Sequence, residues 1–430
     1  MKTGTGNTHR PLTEQEIATI WMSYYQEQEC FQGKKILAVI PDTTRSGPTS
    51  FFFKLLSETM TPKVRELSFI LALGTHPPLS LDRLENHLQL KNLNGEISRK
   101  VKIYQHFWND PSQLTLIGTI SAAEMKKISG GLMKEEIPVT INKLVKEYEV
   151  ILLVGPVFPH EVVGFSGGYK YLFPGISGPD FLHRFHWLGA LITNPKINGT
   201  RDTPVRAALN RAASFLTQPI HQLFYVVKDK KVYGFFVGDT EAWTEAADLS
   251  AKLNIKYVPR SYQTVLSIAP KMYEDIWTAG KCMYKLEPVV ADGGLLIIYA
   301  PHVKEVSHTH GEEIKKVGYH TRDYFLKQWE KFKNVPGCIL AHSTHVKGIG
   351  TYRDGRDNPR IEVVLATGIP EKICREINLG YLNPEKVNPE DYSGREEQGT
   401  LVVPEAGEVL YRLADGTVPD IDRLNRLSQA

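Results

Sequence analysis

At 430 residues the chain has room for two or three domains at roughly 150 residues each. Its 42% hydrophobic, 10% aromatic and 23% charged content suits a packed enzyme and excludes a disordered or fibrous chain. A net charge of +3 gives no reason to expect nucleic acid or an anionic membrane as a partner. Cys30, Cys282, Cys338 and Cys374 form no Cys-x-x-Cys pair, which argues against a disulfide framework and a zinc ribbon. The N-terminal stretch lacks the apolar core of a secretory signal. Apolar runs such as Val150–Val154 fall far short of the roughly 18–20 residues that span a bilayer. A cytoplasmic enzyme without a membrane segment is the expectation.

In chain order, Thr13 with Glu16 forms a capping box that opens a helix to about Gln28. Lys35–Ile40 reads as a buried strand ending in Asp42-Thr43-Thr44-Arg45, and Pro48 suits the first turn of a helix Thr49–Met60. Glu66–Leu73 is a second strand, ending in Gly74-Thr75-His76. Further strands are expected at Val101–Phe107, Glu149–Val154, Leu223–Val227 and Val232–Val237, with helices at Thr140–Tyr148, Pro204–Phe215 and Glu241–Leu253. A second unit opens near Gln263–Pro270, after a linker at Tyr257–Tyr262. It is expected to hold a helix Tyr273–Tyr284, strands Gly294–Tyr299, Cys338–Ala341 and Val363–Thr367, and a helix Pro370–Ile377. Asn383–Gln398 reads as an exposed connection. The alternation predicts two α/β domains with mainly parallel sheets and an active-site cleft between them. Their expected spans are 1–258 and 259–404, with the tail at about 405–430 packing back on the first.

Unusual polar residues follow three of these strands: Asp42 to Arg45, His76, and Pro156 to Lys170. Ligands of open α/β sheets gather outside the carboxyl ends of strands, so one shared site is expected. Gly164, Gly167 and Gly168 let backbone approach a ligand. The stretch is not a P-loop, because Tyr169 and Tyr171 stand where that motif needs Gly and Ser or Thr. Lys170 among Tyr169, Tyr171 and Phe173 is an amine partly removed from water, which favours the neutral nucleophile. His183 and His186 share a helix face and could meet one metal, or be structural. His76 and His160 suggest an acid/base pair. Asp42 could orient a histidine or cap its turn, and Arg45 could clamp a carboxylate or phosphate. His9, His87, His221 and His320 read as surface residues. His106, His302, His308, His310, His342 and His345 have no assigned role.

Together these pieces resemble the nickel-dependent lactate racemase family. The match rests on Asp42-x-x-Arg45, Gly74-Thr75-His76, Pro159-His160, Gly164-x-Ser166-Gly167-Gly168-x-Lys170, and His186 sixteen residues after that lysine. The resemblance implies an isomerase, a racemase or epimerase of small-molecule 2-hydroxy acids. It implies nickel and a pyridinium-3,5-bisthiocarboxylic acid mononucleotide, a nickel pincer held covalently by Lys170. His186 would be the protein ligand to nickel, while Asp42, Thr43, Thr44, Arg45, Gly167 and Gly168 would contact the cofactor. His76 and His160 would be the acid/base residues, and Arg45, Lys281 and Thr278 would meet the substrate. Dedicated cofactor-biosynthesis proteins would be needed for activation.

The chemistry agrees with that family. Deprotonating the α-carbon would set a second negative charge beside a carboxylate, whereas hydride loss gives a planar 2-keto acid. A hydride acceptor must come from a cofactor, and each substrate orientation needs a base. Thr278 stands where lactate racemases carry a glutamine, and Ser307-His308-Thr309-His310 and Ala341-His342-Ser343-Thr344-His345 have no counterpart recognised in them. Polar pockets select for the hydroxyls they bind, so a larger polyhydroxy acid leads, such as D-gluconate epimerised at C2. The alternative is lactate or another short 2-hydroxy acid, with those histidines facing solvent. From other classes come a zinc-dependent hydrolase using His183, His186 and a third ligand, and a non-catalytic phosphate- or nucleotide-binding module around Gly164–Gly168.

Overall fold

Strand Lys35–Pro41 carries Ile36, Ala38 and Ile40 on one face and Leu37 and Val39 on the other, and all five are buried. Side chains alternate across a strand, so burial on both faces requires cover on both sides, the usual state of a parallel sheet. The computed structural model describes residues 2–421 and places this strand near the middle of a seven-stranded sheet. The order is Thr3–Gly6, Lys231–Gly238, Ile220–Lys228, Val150–Pro156, Lys35–Pro41, Glu66–Ala72 and Val101–Gln105. Lys231–Gly238 runs antiparallel to both neighbours, and the remaining pairs are parallel. One core packs Ile36, Phe69, Leu152 and Leu223 with Trp21, Tyr25, Phe52 and Leu56 from helices Glu14–Gln26 and Thr49–Met60. The Thr13–Glu16 capping box is present.

A second sheet is wholly parallel, in the order Gly380–Tyr381, Glu362–Thr367, Val290–Ala300, Tyr262–Ile268 and Thr400–Val403. Leu266, Ile297, Ala366 and Val387 form its core cluster. The chain divides into two compact units. The first holds residues up to 158, 165–182 and 201–253. The second begins at 254, not 259, and also takes 159–164 and 183–200 from the N-terminal half. Of the tail, Leu410–Leu413 pairs in parallel with Ile255–Val258 in the second unit, where a linker was expected from 257 onward. Residues 422–430 of that tail lie outside the described residues. Among the described residues, no helix is long and apolar enough to cross a membrane.

Two segments take the opposite secondary structure. The expected helix Thr140–Tyr148 is instead the end of strand Ile137–Asn142 and a 3-10 turn Lys143–Glu147, because Leu114–Ile120 supplies an antiparallel partner. The expected strand Cys338–Ala341 is the first turn of helix Gly337–Lys347, buried from Cys338 to Val346. An apolar run hidden on all sides has no period by which helix and strand can be told apart. The expected helix Tyr273–Tyr284 resolves into two short ones, Ile276–Ala279 and Lys281–Tyr284.

Candidate active site

In the first unit, strands Glu66–Ala72, Lys35–Pro41 and Val150–Pro156 lie side by side and parallel. Their carboxyl ends therefore deliver His76, Asp42 to Arg45, and the glycine-rich segment to one edge of the sheet. Asp42 fills both roles left open by the sequence. Its Oδ1 accepts from the Thr44 amide at 3.1 Å and the Thr44 hydroxyl at 2.7 Å, closing the turn. Its Oδ2 lies 2.5 Å from His76 Nδ1. Burial alone would raise the buried Asp42 carboxyl, but His76 and Thr44 outweigh it and hold it well below the usual carboxylate range. Gly74 adopts φ +55° and donates its N–H to Gly175 O at 2.9 Å, which anchors the turn that presents His76.

The glycine-rich segment is held from behind. Ser166 Oγ donates to Pro156 O at 2.8 Å and accepts from Phe158 N at 2.9 Å. Trp243 Nε1 donates to Ser166 O at 3.0 Å, and the buried Arg206 donates to the carbonyls of Phe165 and Gly167. Gly167 and Gly168 have φ of +87° and +65°. A Cβ on Gly167 would meet Val157 Cγ2 at 2.7 Å and one on Gly168 would meet the end of the Gln222 side chain at 2.8 Å, so a side chain at either position is strained. Lys170, half-buried, lies on the 3-10 turn Gly168–Tyr171. Burial pushes the Tyr171 phenol far up, Tyr225 adds to this, and Arg45 opposes it. Sequence reasoning missed Arg206 and Trp243, whose partners are backbone carbonyls tens of residues away.

In the second unit, His160 is 4% exposed, and its Nδ1 accepts the Val162 amide proton at 3.1 Å. Glu161 Oε2 stands 3.6 Å from the same nitrogen. Lys285 is buried and donates to the carbonyl of Pro159, fixing the backbone before His160. Nothing in the sequence singled out Lys285. Buried Lys281 lies with its ammonium 4.7 Å from the Tyr273 ring centroid, a cation–π contact. Thr278 is tied down, its amide and hydroxyl both donating to Asp275 Oδ1 at 3.0 and 2.8 Å. His183 and His186 lie on helix Pro179–Ile192, both half-buried.

The alternative reading, in which the C-terminal histidines face solvent, fails for three of them. His310, His342 and His345 are buried, while His308 stays exposed. The Trp277 ring lies 4.5 Å from that of His310 and 4.4 Å from that of His342, whose Nε2 is 3.1 Å from the Tyr319 hydroxyl. Burial pulls His342 down to about 3, with His345 and His310 adding and Glu161 opposing. Three of the four assigned surface histidines are also structural. His87 reaches Pro41 O at 3.0 Å, His221 joins Tyr24 and Cys30, and His320 stacks on Tyr324 and bonds Asp357. Of these four, only His9 is exposed. Among the described residues, no three His, Cys, Asp or Glu side chains are arranged to hold a metal ion.

Comparison with known proteins bears on this arrangement. The lactate racemase N-terminal domain matches residues 22–198. A lactate racemase of Lactiplantibacillus plantarum is 27% identical over 289 residues, 64% of this chain and 62% of that protein. One of Thermoanaerobacterium thermosaccharolyticum is 23% identical over 293 residues, 66% of this chain and 63% of that protein. The chain thus spans just under two thirds of the length of these relatives. Among solved structures, a Thermotoga maritima protein superposes with a TM-score of 0.86 at 32% identity, over 94% of this chain and 99% of the other. The lactate racemase apoprotein of T. thermosaccharolyticum gives a TM-score of 0.72 at 17% identity over 94% and 93%, a likeness of fold.

Proposed function

We propose, from its likeness to lactate racemases in residues 22–198 and across about two thirds of the chain, that the protein is a racemase or epimerase inverting C2 of 2-hydroxy acids with a nickel-pincer nucleotide held by Lys170 and His186. The observation that carries this reading is the Asp42–His76 pair, set at neighbouring strand ends beside the strand that leads into the lysine loop. The residues present fit the cofactor. Lys170 is a half-buried amine after two glycines whose positive φ makes any side chain strained. No described protein cluster completes a metal site, so a nickel bound by His186 would take its other ligands from a bound group.

When bound, the group would supply an electrophilic hydride acceptor, which no side chain offers. The rest falls to the chain. Arg45 and Lys281 would hold the substrate carboxylate while the planar 2-keto acid turns. His76 and His160 would take and return the hydroxyl proton, one for each orientation. Asp42 to Arg45, Gly167 and Gly168 would line the cofactor. An isomerase of this kind would work in the cytoplasm and depend on cofactor-biosynthesis proteins.

The lead substrate is a polyhydroxy acid such as D-gluconate, with lactate or another short acid as the alternative. Support comes from the short Thr278 and from His310 and His342 beside Trp277, buried donors and acceptors suited to hydroxyls. The first test is the intact mass and nickel content of protein made in a host that synthesises the cofactor, beside Lys170→Ala. A cofactor-sized mass gain with about one nickel per chain is expected in the parent protein, and neither in the variant. Zinc binding unaffected by Lys170→Ala, with no mass gain, would overturn the reading. With active enzyme, turnover in deuterated water should leave the α-position unlabelled, whereas full α-deuteration would exclude hydride return.

A further inference from the structure

His76 and His160 share a proposed task, yet each ring is held by a different kind of group. Asp42 is a buried carboxylate, an acceptor only, so the nitrogen 2.5 Å from it must carry a proton. His76 is thereby fixed with hydrogen on Nδ1 and, when neutral, a lone pair on Nε2. At His160 the polarity is reversed. The Val162 amide donates to Nδ1 at 3.1 Å, so Nδ1 carries the lone pair and a neutral ring must carry its hydrogen on Nε2.

A carboxylate is nevertheless close to the second ring. Glu161 Oε2 lies 3.6 Å from His160 Nδ1, beyond hydrogen-bond reach but within range of a small ring rotation. The Glu161 side chain is 12% exposed, and its charge also acts on His342 and His345. Lys285, donating to Pro159 O, fixes the main chain so that the choice between Val162 and Glu161 falls to the ring.

We propose that the two acid/base histidines rest in opposite tautomers, His76 as the Nδ1–H form set by Asp42 and His160 as the Nε2–H form set by the Val162 amide, with Glu161 accepting a hydrogen bond from the Nδ1–H of His160 once that ring is charged. Neutral His76 is ready to take a hydroxyl proton on Nε2, its Nδ1–H staying on Asp42. Neutral His160 cannot accept there until its ring leaves Val162. A charged His160 gives its Nε2 proton to the substrate oxygen and is left as the Nδ1–H form beside Glu161. It returns to rest by releasing the Nδ1 proton to water and taking one from water on Nε2. Glu161 is thus a positioning residue, and the two half-reactions are chemically unequal. Their assignment as acid/base residues rests on the racemase reading, but their tautomers do not.

The test is nitrogen-15 NMR of the full-length chain labelled at histidine, purified without cofactor. His76→Gln and His160→Gln assign the two rings by loss of their signals. Above their titration, His76 should show a protonated Nδ1 and His160 a protonated Nε2. Asp42→Asn should leave His76 a mixture of tautomers, since an amide can donate or accept. Glu161→Gln should lower the titration midpoint of His160 by about one pH unit, a tenfold loss of proton affinity, and leave the His76 tautomer unchanged. Finding both rings in the Nδ1–H form, or no change at His160 in Glu161→Gln, would overturn the proposal. Neither result would touch the racemase reading, which fails separately if Lys170 takes up no cofactor.

Discussion

The Arg206 guanidinium carbon stands 4.2 Å from the ring centroid of Trp243, and the two side chains together hold three successive carbonyls, those of Phe165, Ser166 and Gly167. Burial pushes the guanidinium down to about 9, with Asp202 opposing. The lysine loop is therefore built on a buried cation whose neighbours are an indole face and backbone oxygens. Replacing Arg206 with Met should strip charged hydrogen bonds from buried carbonyls and cost roughly 2–3 kcal/mol. Urea unfolding would measure the loss. Intact mass after cofactor exposure should show reduced loading at Lys170, and full loading at unchanged rate would separate the loop from its support.

Gly167 combines φ +87° with ψ 165°, a region essentially closed to residues with a side chain, and a Cβ there would meet Val157 Cγ2 at 2.7 Å. Gly167→Ala should destabilise the protein by about 1–3 kcal/mol through backbone strain, with any clash adding to it. A melting temperature equal to that of the parent protein would contradict the loop geometry.

His76→Gln and His160→Gln should each reduce kcat by about 10²–10⁴-fold, the usual contribution of a positioned acid or base. Nickel content and the mass at Lys170 should stay unchanged. A variant that loses both rate and cofactor would instead mark its histidine as part of the cofactor's seat.

The protein should lose stability in mild acid. Burial pulls His106 and His221 each down to about 4 from an ordinary value near 6.5. His106 is fixed neutral, its Nε2 donating to Ser177 O at 3.0 Å and its Nδ1 accepting from Asn142 at 3.3 Å. The folded state thus binds fewer protons than the unfolded chain between these values. Stability from both residues is complete above about pH 6.5 and falls as the pH drops toward 4. His106 alone carries a loss of the order of 2–3 kcal/mol. Denaturant midpoints from pH 7 down to pH 4 would trace it, and a His106→Gln variant should show a shallower decline. A flat profile in the parent protein would refute the burial argument.

Much of this was legible before folding was considered. Lys35–Pro41 and Glu66–Ala72 are apolar runs closed by turn residues, and a helix starts where Thr13 and Glu16 cap each other. Local chemistry decided them. Thr140 misled because its strand exists only through pairing with Leu114–Ile120, and Cys338–Ala341 because a helix buried all round has no polar face. His221 and His320 were misjudged for a related reason: their partners, Tyr24 and Asp357, are distant in sequence.

By itself, the sequence determined the α/β class and the order of Asp42, His76, His160, Lys170 and His186, because strand ends and glycine turns are written in neighbouring residues. Only the tertiary structure decided what each of these groups touches. Asp42 and His76 are 34 residues apart, and they meet because the register of two parallel strands brings their ends level. The carbonyls held by Arg206 and the burial of His310, His342 and His345 likewise depend on residues distant in sequence. Hydrogen-bond partners and removal from water are properties of packed neighbours, and packing is settled by the whole chain.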